Sequence, residues 1–411
     1  MNPTPSSASP GASPARSSPI QAPDEQAAPT RTRSFTLPLD PLLTLAAAGL
    51  AVASIETLGP ATQNLIAGQP DYYVHRQTAY LIVGGLLMLV VSRIDYTRLR
   101  TLKNGIYALL MLSILAVLGL GHSAQGAQRA IALPGFSFQA SELGKVLLIL
   151  ALSAFVVDRA RQLRERDTTV RVMLAALVPA LFVIAQPDLG SGMVYMVIAF
   201  TLLFVAGTPW RQLVALLALV AVSLSFVLVA APAAGVHVLK SYETERLTAF
   251  LHPTTNVQKE GYQQEESKIA IGSGQKTGSG ANAPLTRLNY VPEDNTDFIF
   301  AAVGEQYGFL GAALVLALYA LLIWRTLRIL VMSKDLFGSL VAAGVAAMLM
   351  FQVFVNVGMT IGIMPITGVT LPLMSYGGSS VITTLLAVGL LQSIYVQARA
   401  SQALKGRVLR Y

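Results

Sequence analysis

The stretch FGSLVAAGVAAMLMFQVFVNVGMT, residues 337–360, contains no charged side chain and is long enough to cross a membrane as one helix. A hydrocarbon core of about 30 Å needs roughly 20 mostly apolar residues per helical span. Nine further apolar runs cover about residues 39–57, 78–92, 104–121, 141–157, 172–187, 190–207, 212–235, 298–324 and 376–396. These runs are too long and too uniformly apolar for barrel strands, and helices satisfy their own backbone polar groups in lipid. The sequence therefore predicts an all-α integral membrane protein, a bundle of about ten transmembrane helices.

The composition of the whole chain agrees with this prediction, because 54% of residues are hydrophobic and only 12% are charged. The mean hydropathy is +0.58. Cysteine is absent, which excludes disulfides and thiolate metal sites, and the four histidines lack the spacing of a zinc site such as HExxH. The net charge of +8 favours anchoring to anionic membrane lipids over binding of nucleic acid.

The polar ends and loops predict how the chain crosses the membrane. Residues 1–34 are rich in Pro, Ser and Ala, which predicts a disordered cytoplasmic tail and no signal peptide. The loops after the second and fourth spans are rich in Arg, and basic loops stay in the cytoplasm. We therefore expect cytoplasmic N- and C-termini, a membrane domain at 35–398 and a basic tail at 399–411. The segment 236–297 then forms a large extracellular loop between helices 7 and 8, too long for a simple connection.

The end of this large loop carries a cluster of acids in VPEDNTDFIFAAVGEQYGFLG, residues 291–311. A carboxylate where a polar loop meets an apolar helix can stay ionised while its proton affinity is tuned, so it can act as a base. The simpler alternative for Asp297 is an N-cap of the eighth span. Upstream, IGSGQKTGSG at 271–280 suggests a phosphate cradle made by backbone amides or, with more weight, a flexible lid. It lacks the pattern of a P-loop.

A second polar concentration is QGAQRAIALPGFSFQASELGK, residues 125–145, which leads into the fourth span from the same predicted outer face. Glu142 and Lys145 lie three residues apart, so they can pair on one helix face and still point into a polar cavity. An ion pair that only fixes helix packing is the alternative. Arg129 suits a diphosphate through its planar guanidinium, or else it anchors the loop at the interface.

Two further segments on the predicted outer face interrupt helices, QPDLGSG at 186–192 and GIMPITGVTLPLMSYGGSS at 362–380. Asp188 in the first is either a polar group of the site or an N-cap. The Pro and Gly residues of the second predict a non-helical segment, which must be buried in protein or line a wet cavity. Ser375, Tyr376 and the Gly377 amide are predicted there as donors to a polar head group.

Taken together, these motifs resemble the SEDS family (shape, elongation, division and sporulation) over about residues 40–398. The resemblance is carried by GAQRAI with QASELGK, QPDLGSG, GYQQEESKIAIGSG, VPEDNTDFIFAAVGEQYGFLG and FVNVGMTIGIMPITGVTLPLMSYGGSS, in the family's order and spacing. The SKIAIGSG segment and the wording around 354–368 look more like RodA than FtsW. This likeness implies a role in cell elongation and rod shape, with an FtsW-type division polymerase as the alternative.

The resemblance implies a peptidoglycan glycosyltransferase in the bacterial cytoplasmic membrane, which polymerises lipid II on the outer face. Asp297 matches the family's catalytic aspartate and would take the proton of the acceptor 4-hydroxyl, with Glu293 tuning its pKa. Asp294 and Glu305 are expected to be solvated or structural. Arg129, Lys145, Arg246 or a divalent cation (Mg²⁺ or Mn²⁺) would neutralise the diphosphate, and no organic cofactor is implied. The implied partners are lipid II, the growing glycan strand and a class B penicillin-binding protein that cross-links it.

The chain departs from the family pattern at two positions before the fourth span. Ala130 stands where many members have Trp, and Ala140 stands where they have Pro. The missing ring removes a group that stacks on sugars or sits at the interface, so the shape of the outer cavity is open to test. A lipid II flippase or other transporter remains the alternative from another class, and a scaffold without chemistry is a third.

Overall fold

The computed structural model describes residues 39–66, 68–120, 122–124, 127–133, 136–225, 260–287 and 295–408. Several predictions fall outside these residues: the tail at 1–34, Arg246, Glu293, Asp294 and much of the large loop. The backbone of Arg129 is described, but its side chain is not.

Helices form nearly all of the described structure. The helices are α1 Pro41–Thr62, α2 Tyr72–Arg93, α3 Thr97–Thr101, α4 Lys103–Leu120, α5 Ala140–Asp158, α6 Arg166–Ala185, α7 Leu189–Val205, α8 Trp210–Ser225, α9 Glu260–Ser273, α10 Pro284–Arg287, α11 Ile299–Met332, α12 Leu336–Thr360 and α13 Gly378–Val408. One-turn 3-10 helices lie at Ala160–Gln162 and Gly280–Asn282.

The membrane architecture predicted from the apolar runs is confirmed. Within the described ranges, seven helices are long and apolar enough to cross a membrane, namely α1, α2, α5, α6, α11, α12 and α13. Three shorter apolar helices, Lys103–Gly119, Leu189–Val205 and Trp210–Ser223, coincide with the remaining predicted runs. Large apolar side chains on outward faces, such as Leu86, Leu112 and Leu314, are more than half exposed, as expected for surfaces that meet lipid.

A small antiparallel sheet precedes α5, which the prediction of a purely helical chain did not include. Its strands are β1 His122–Ala124, β2 Ala127–Leu133 and β3 Phe136–Phe138, with β2 in the middle. Ala130, at the position where the resemblance predicts Trp in many members, pairs with His122, and Ile131 pairs with Phe138. The sheet brings the polar segment before the fourth span back toward the start of α5.

The glycine-rich segment at 271–280 is docked onto a break in α11. Gly308 has φ 63° and ψ −160°, so α11 kinks there, and the amides of Phe309 and Leu310 donate to the carbonyls of Gln275 (2.9 Å) and Lys276 (3.1 Å). A Cβ on Gly274 would lie 1.9 Å from the Gly304 carbonyl oxygen. Gly274 therefore allows two backbones to touch, whereas Gly272 and Gly280 face open space, and the interpretations as a flexible lid or a phosphate cradle stay predictions.

Glu305 is structural and fully buried, so the solvated alternative is wrong. Its carboxylate accepts from the amides of Leu285 and Thr286, both at 2.8 Å, and from the Thr286 hydroxyl. These donors lie at the start of α10, where free amides need acceptors. Glu305 therefore fixes part of the large loop, the segment at α10, to α11.

The Arg-rich loops after α2 and α5 lie at the same end of the bundle. Arg100 of α3 and Lys103 of α4 both pair with Asp158, the last residue of α5. This arrangement agrees with the topology predicted from the basic loops, in which both loops face one side.

Candidate functional site

A polar cavity of about 510 Å³ lies among the break segments that the sequence singled out. Its walls come from the start of α2, the sheet and the start of α5, the turn before α11, and the segment that enters α13. The lining residues are Tyr72, Tyr73, Arg76, Tyr80, Ser137, Gln139, Glu142, Thr296, Asp297, Gly368, Thr370, Tyr376, Gly377, Gly378, Ser379 and Ser380. Asp297, Glu142, Tyr376 and Gly377 were predicted as site residues, and the structure brings all four to this cavity.

Asp297 lies in the turn at 295–298, directly before α11. The N-cap residue of α11 is Phe298, one position after Asp297, so Asp297 does not occupy the N-cap position that the simpler alternative gave it. Phe298 and Ile299 are buried, which fixes the start of the helix in the core. Asp297 instead lines the polar cavity.

The turn that carries Asp297 is held through three consecutive backbone carbonyls. The Asn295 carbonyl accepts from the Tyr376 amide at 2.8 Å, and the Thr296 carbonyl accepts from the Ser375 hydroxyl at 2.6 Å. The Asp297 carbonyl accepts from the side-chain amide of Asn356 at 2.8 Å. Two of these donors come from the segment before α13 and the third from α12, so the position of Asp297 depends on both.

Asn356 was not singled out by the sequence reasoning. It is fully buried in α12, and its Nδ2 also donates to the Val369 carbonyl at 2.7 Å, so one amide links the turn to the segment before α13. Its Oδ1 has no hydrogen-bond partner in the described structure. A buried polar atom without a partner lowers stability, so the presence of Asn356 needs a reason. Its two donated hydrogen bonds indicate that it positions the turn.

Ser375 and Gly377 have different surroundings from those predicted. Ser375 is 1% exposed, accepts from the Leu371 amide and donates to Thr296, so it positions the turn and lies outside the cavity lining. The Gly377 amide faces the buried Gln77 at 3.4 Å. Gln77 in turn donates to the Ser375 carbonyl and to Ser54. Ser375 and the Gly377 amide therefore stabilise the loop. Of the three predicted donors to a head group, Tyr376 remains.

Arg76 of α2 is the one basic side chain among the described residues that line the cavity. Its guanidinium stacks on Tyr72 at 4.7 Å and hydrogen-bonds the phenol of Tyr376. Burial raises the pKa of Tyr376 to about 12, while Arg76 opposes this shift. The phenol is therefore protonated at neutral pH. The sequence signal for Arg76 was its place as a lone basic residue between the first two predicted spans.

Aromatic rings form one wall of the cavity. Tyr376 packs edge-on against Tyr73 at 4.9 Å, and Tyr80 packs edge-on against Phe136 of β3 at 5.9 Å. A Cβ on Gly378 would meet Phe136 at 2.7 Å, so this glycine allows the close approach. Aromatic faces and polar tips suit a sugar, and these rings occupy the cavity of a chain that lacks the family's tryptophan.

Glu142 and Lys145 form the predicted ion pair, at 2.6 Å, with side chains that are 5% and 2% exposed. Glu142 lines the cavity, whereas Lys145 does not. The start of α5 is fixed nearby because the Ser141 hydroxyl donates to Asp188 at 2.7 Å. Asp188 also accepts from the Ser191 amide. It is the N-cap of α7, which was one of the two roles predicted for it.

The start of α5 is also joined to the start of α13. The Ser379 hydroxyl accepts from the Gln139 amide at 2.9 Å and donates to the Ser137 carbonyl at 2.8 Å. The side chain of Gln139 donates to Asp188 at 3.2 Å. The cavity walls therefore hold one another through side-chain bonds between distant parts of the sequence.

The arrangement supplies an acid–base group and an anion-binding group within an apolar bundle. The carboxylate of Asp297 can take a proton from a hydroxyl, and Arg76 and the neutral phenol of Tyr376 can donate to anionic oxygens. No group of three or more His, Asp or Glu that could hold a metal ion occurs in the described part of the chain.

Comparisons with known proteins agree with these motifs. The model of the family described as "Cell cycle protein", which covers FtsW, RodA and SpoVE, matches residues 39–400. The chain is 35% identical over 374 residues to a probable peptidoglycan glycosyltransferase FtsW of Thioalkalivibrio sulfidiphilus, covering 89% of this chain and 91% of that relative. It is 33% identical over 385 residues to the peptidoglycan glycosyltransferase RodA of Treponema pallidum, covering 78% and 88%.

A solved structure shares the fold at a TM-score of 0.71 and 31% identity, over 88% of this chain and 99% of the solved chain. That structure is described as "Structural coordination of polymerization and crosslinking by a peptidoglycan synthase complex". At these identities the similarity extends over the membrane domain as a whole, including every segment that lines the cavity.

Proposed function

The chain belongs to the FtsW, RodA and SpoVE family, as its SEDS motifs predicted, and we propose that it polymerises lipid II into glycan strands. The observation that carries this proposal is the cavity in which Asp297, Arg76 and Tyr376 meet. Relatives at 33% to 35% identity bear the name peptidoglycan glycosyltransferase, which supports the same reaction for this chain.

The proposed reaction joins an acceptor sugar to a lipid-linked donor. The 4-hydroxyl of the acceptor N-acetylglucosamine attacks the anomeric carbon of the donor N-acetylmuramic acid. The new C–O bond forms as the bond from that carbon to the diphosphate oxygen breaks, and undecaprenyl diphosphate leaves. Asp297 takes the hydroxyl proton, a contribution of about 10²–10⁴-fold in rate. The hydrogen bonds from Tyr376, Ser375 and Asn356 to three carbonyls of the turn hold this base in place while the strand grows.

The leaving diphosphate gains negative charge, which the site must neutralise. Arg76 is in place to do so, and Arg129, Lys145 and Arg246 are the cations proposed from the sequence. A divalent cation held by the diphosphate oxygens and a cavity carboxylate is the other route. Chelation separates the two routes: with EDTA, polymerisation continues if side chains suffice and stops until Mg²⁺ or Mn²⁺ returns if a cation is required.

A direct test uses purified protein and lipid II in detergent, with glycan polymer measured on gels. We expect Asp297→Asn to lower the rate by at least about 10²-fold, because the amide cannot accept the proton. Asp167→Asn is the matched control, since Asp167 is 65% exposed on α6, far along the chain from the cavity. Equal polymerisation by wild type and Asp297→Asn would refute the assignment of the base. Transport of labelled lipid II without polymer would support the flippase.

The active cavity is proposed to face the outside of the cytoplasmic membrane, with both termini inside. The chain has no cysteine, so single cysteines can be introduced without background labelling. In whole cells, a membrane-impermeant maleimide should label Gln275→Cys, whose position is exposed beside the kink in α11, but not Thr101→Cys at the Arg-rich end. The reverse pattern would invert the topology.

The proposed partner is a class B penicillin-binding protein that cross-links the new strand. The support is the solved structure of a synthase complex that coordinates polymerization and crosslinking, to which this chain is 31% identical. Copurification of a transpeptidase with tagged full-length chain from its own cells tests the pairing. Recovery of the chain without any penicillin-binding protein, under conditions that preserve other membrane complexes, would contradict it.

The cellular role is proposed to be elongation, on the strength of the RodA-like wording in SKIAIGSG and 354–368. The identity to an FtsW relative, 35% against 33% for RodA, favours division as the second candidate. Depletion separates the two roles: cells become round if the chain serves elongation, and they form filaments if it serves division.

A further inference from the structure

A second cavity, of about 680 Å³, lies at the Arg-rich end of the bundle and shares no lining residue with the first. It is bounded by α3, the start of α4, the end of α5 and the start of α12. Its lining residues are Thr97, Arg100, Thr101, Lys103, Val157, Asp158, Asp335, Leu336 and Phe337. Because its walls are the ends of apolar spans, this cavity sits where the bundle meets the membrane boundary.

The acids of this cavity already have their hydrogen-bond donors. Asp158 accepts from Arg100 on one oxygen and from Lys103 on the other. Asp335 accepts from the Gly338 amide at 2.7 Å on one oxygen and from the Tyr96 hydroxyl at 3.1 Å on the other. Asp335 also caps α12, where a negative charge is favoured. Neither carboxylate therefore calls for a cationic ligand.

Arg100 and Lys103, in contrast, each have N–H groups that their bonds to Asp158 do not use. Arg100 uses its Nε and Nη2 groups on Asp158, whereas a guanidinium has five N–H groups, and Lys103 uses one of three. Asp158 is the only side chain paired with either cation among the residues that the structure describes. Their side chains remain 46% and 30% exposed. A ligand of this cavity must therefore bring acceptor oxygens.

Three of the other lining residues are apolar, which narrows the class of ligand that fits, and Thr97, Thr101 and Asp335 complete the lining. Val157, Leu336 and Phe337 line the cavity, Leu336 is 38% exposed, and the neighbouring Leu102 is 57% exposed. A ligand with an anionic group at one end and hydrocarbon at the other fits both walls. We propose that this cavity binds an anionic phospholipid, with its phosphate on Arg100 and Lys103 and its glycerol and acyl carbons against the apolar wall.

The charged residues that line the cavity are Arg100, Lys103, Asp158 and Asp335, so their charges sum to zero. Removing the charge of Asp158 would raise this sum to +1, and each basic charge near an anionic membrane is worth about 1 kcal/mol, or about fivefold in affinity. Asp158→Asn should therefore strengthen lipid binding. A purely structural ion pair makes no such prediction, because the substitution would only remove contacts.

The test is a titration of full-length protein in neutral detergent with phosphatidylglycerol, with bound lipid counted by native mass spectrometry. We expect the double variant Arg100→Gln, Lys103→Gln to bind about 25-fold more weakly and Asp158→Asn about fivefold more tightly. Arg171→Gln is the matched control, because Arg171 is an exposed cation paired with Asp167 on α6 and lines neither cavity; the lipid affinity of this variant should stay at the wild-type value.

Two further arms identify the source of the phosphate and decide the proposal. Phosphatidylcholine should bind at least fivefold more weakly than phosphatidylglycerol, and inorganic phosphate at millimolar concentration should not displace the lipid. The proposal is overturned if Arg171→Gln weakens binding as much as the double variant does, or if Asp158→Asn weakens it. Full displacement by inorganic phosphate would instead assign the cavity to a soluble phosphate.

Discussion

Replacing Asn356 with leucine removes the side-chain amide that holds both the turn of Asp297 and the segment before α13. The partly buried carbonyl of Asp297 and the buried carbonyl of Val369 lose their donors, at 2.8 Å and 2.7 Å. Leaving a buried acceptor unsatisfied costs about 1–3 kcal/mol. Leucine is close to asparagine in size, so the substitution tests hydrogen bonding more than packing.

The loss of stability from the two broken hydrogen bonds is partly offset, because the substitution also removes an unsatisfied buried oxygen. The Oδ1 of Asn356 is already buried without a partner, and its removal returns about 1–3 kcal/mol. The free energy of unfolding should therefore fall by only about 2 kcal/mol. If positioning of Asp297 loses the worth of one hydrogen bond, about 1.4 kcal/mol, kcat falls about tenfold. KM should stay within about twofold, because Asn356 does not line the cavity.

The assay is polymerisation of lipid II by purified protein, with kcat and KM determined separately and Tm measured on the same samples. The control is Thr326→Val, which removes a buried hydroxyl that donates to the Leu322 carbonyl within α11 itself. It should change Tm slightly and kcat not at all. An unchanged kcat in Asn356→Leu, or a loss matched by Thr326→Val, would refute the positioning role.

Three further predictions concern the glycine contact, the buried acid and the phenol. Gly278→Ala, with φ +81° and a Cβ 2.1 Å from the Gln306 carbonyl oxygen, should lower Tm strongly, whereas Gly272→Ala, which faces open space, should not; equal Tm values would contradict the docking. Glu305→Gln should destabilise the protein by about 1.5–3 kcal/mol and expose the outer loop to limited proteolysis, because one charge-assisted acceptor is lost; unchanged cleavage would count against this role. Tyr376→Phe should lower kcat/KM about threefold to tenfold, and by the same factor at pH 7.5 and 9.5, because a pKa near 12 keeps the phenol protonated at both; a factor that shrinks at pH 9.5 would mean that the phenol ionises earlier.

The apolar runs predicted the spans well because the lipid requirement acts on each helix separately. The boundaries failed where a helix continues beyond the hydrocarbon. The last run was predicted to end near 396, but α13 continues to Val408, since the basic residues there are good helix formers. The small sheet was missed because strands as short as Phe136–Phe138 carry too little alternation to be recognised.

The candidate site was predictable where a residue's role is written in its own segment. Asp297, Glu142 and Tyr376 stand in polar breaks of apolar runs, and the structure brings all three to one cavity. Arg76 and Asn356 were missed because their roles depend on residues in other parts of the fold. Arg76 contacts Tyr376, more than 200 positions later, and Asn356 holds the turn of Asp297 from another helix, so sequence spacing reveals neither role. In the sequence, Asn356 in particular is simply a polar residue within an apolar span.

The glycine segment shows a different limit. Glycine allows both freedom of motion and close approach of the backbone to a neighbour, and the sequence analysis gave more weight to a flexible lid. The structure decides for close approach, because Gly274 and Gly278 touch the carbonyls beside the kink at Gly308. The partner of these glycines is α11, and its break at Gly308 could not be foreseen, because the predicted apolar run at 298–324 continues on both sides of that glycine.

The bond between Gln77 and the segment before α13 has a consequence for biosynthesis. Gln77 is made early and contacts the Ser375 carbonyl and the Gly377 amide, which emerge some 300 residues later. A nascent chain that ends before this segment lacks one whole wall of the cavity, and contacts of such long range form late. The cavity is therefore complete only after the segment before α13 and the start of α13 have been synthesised and have joined the helices made before them.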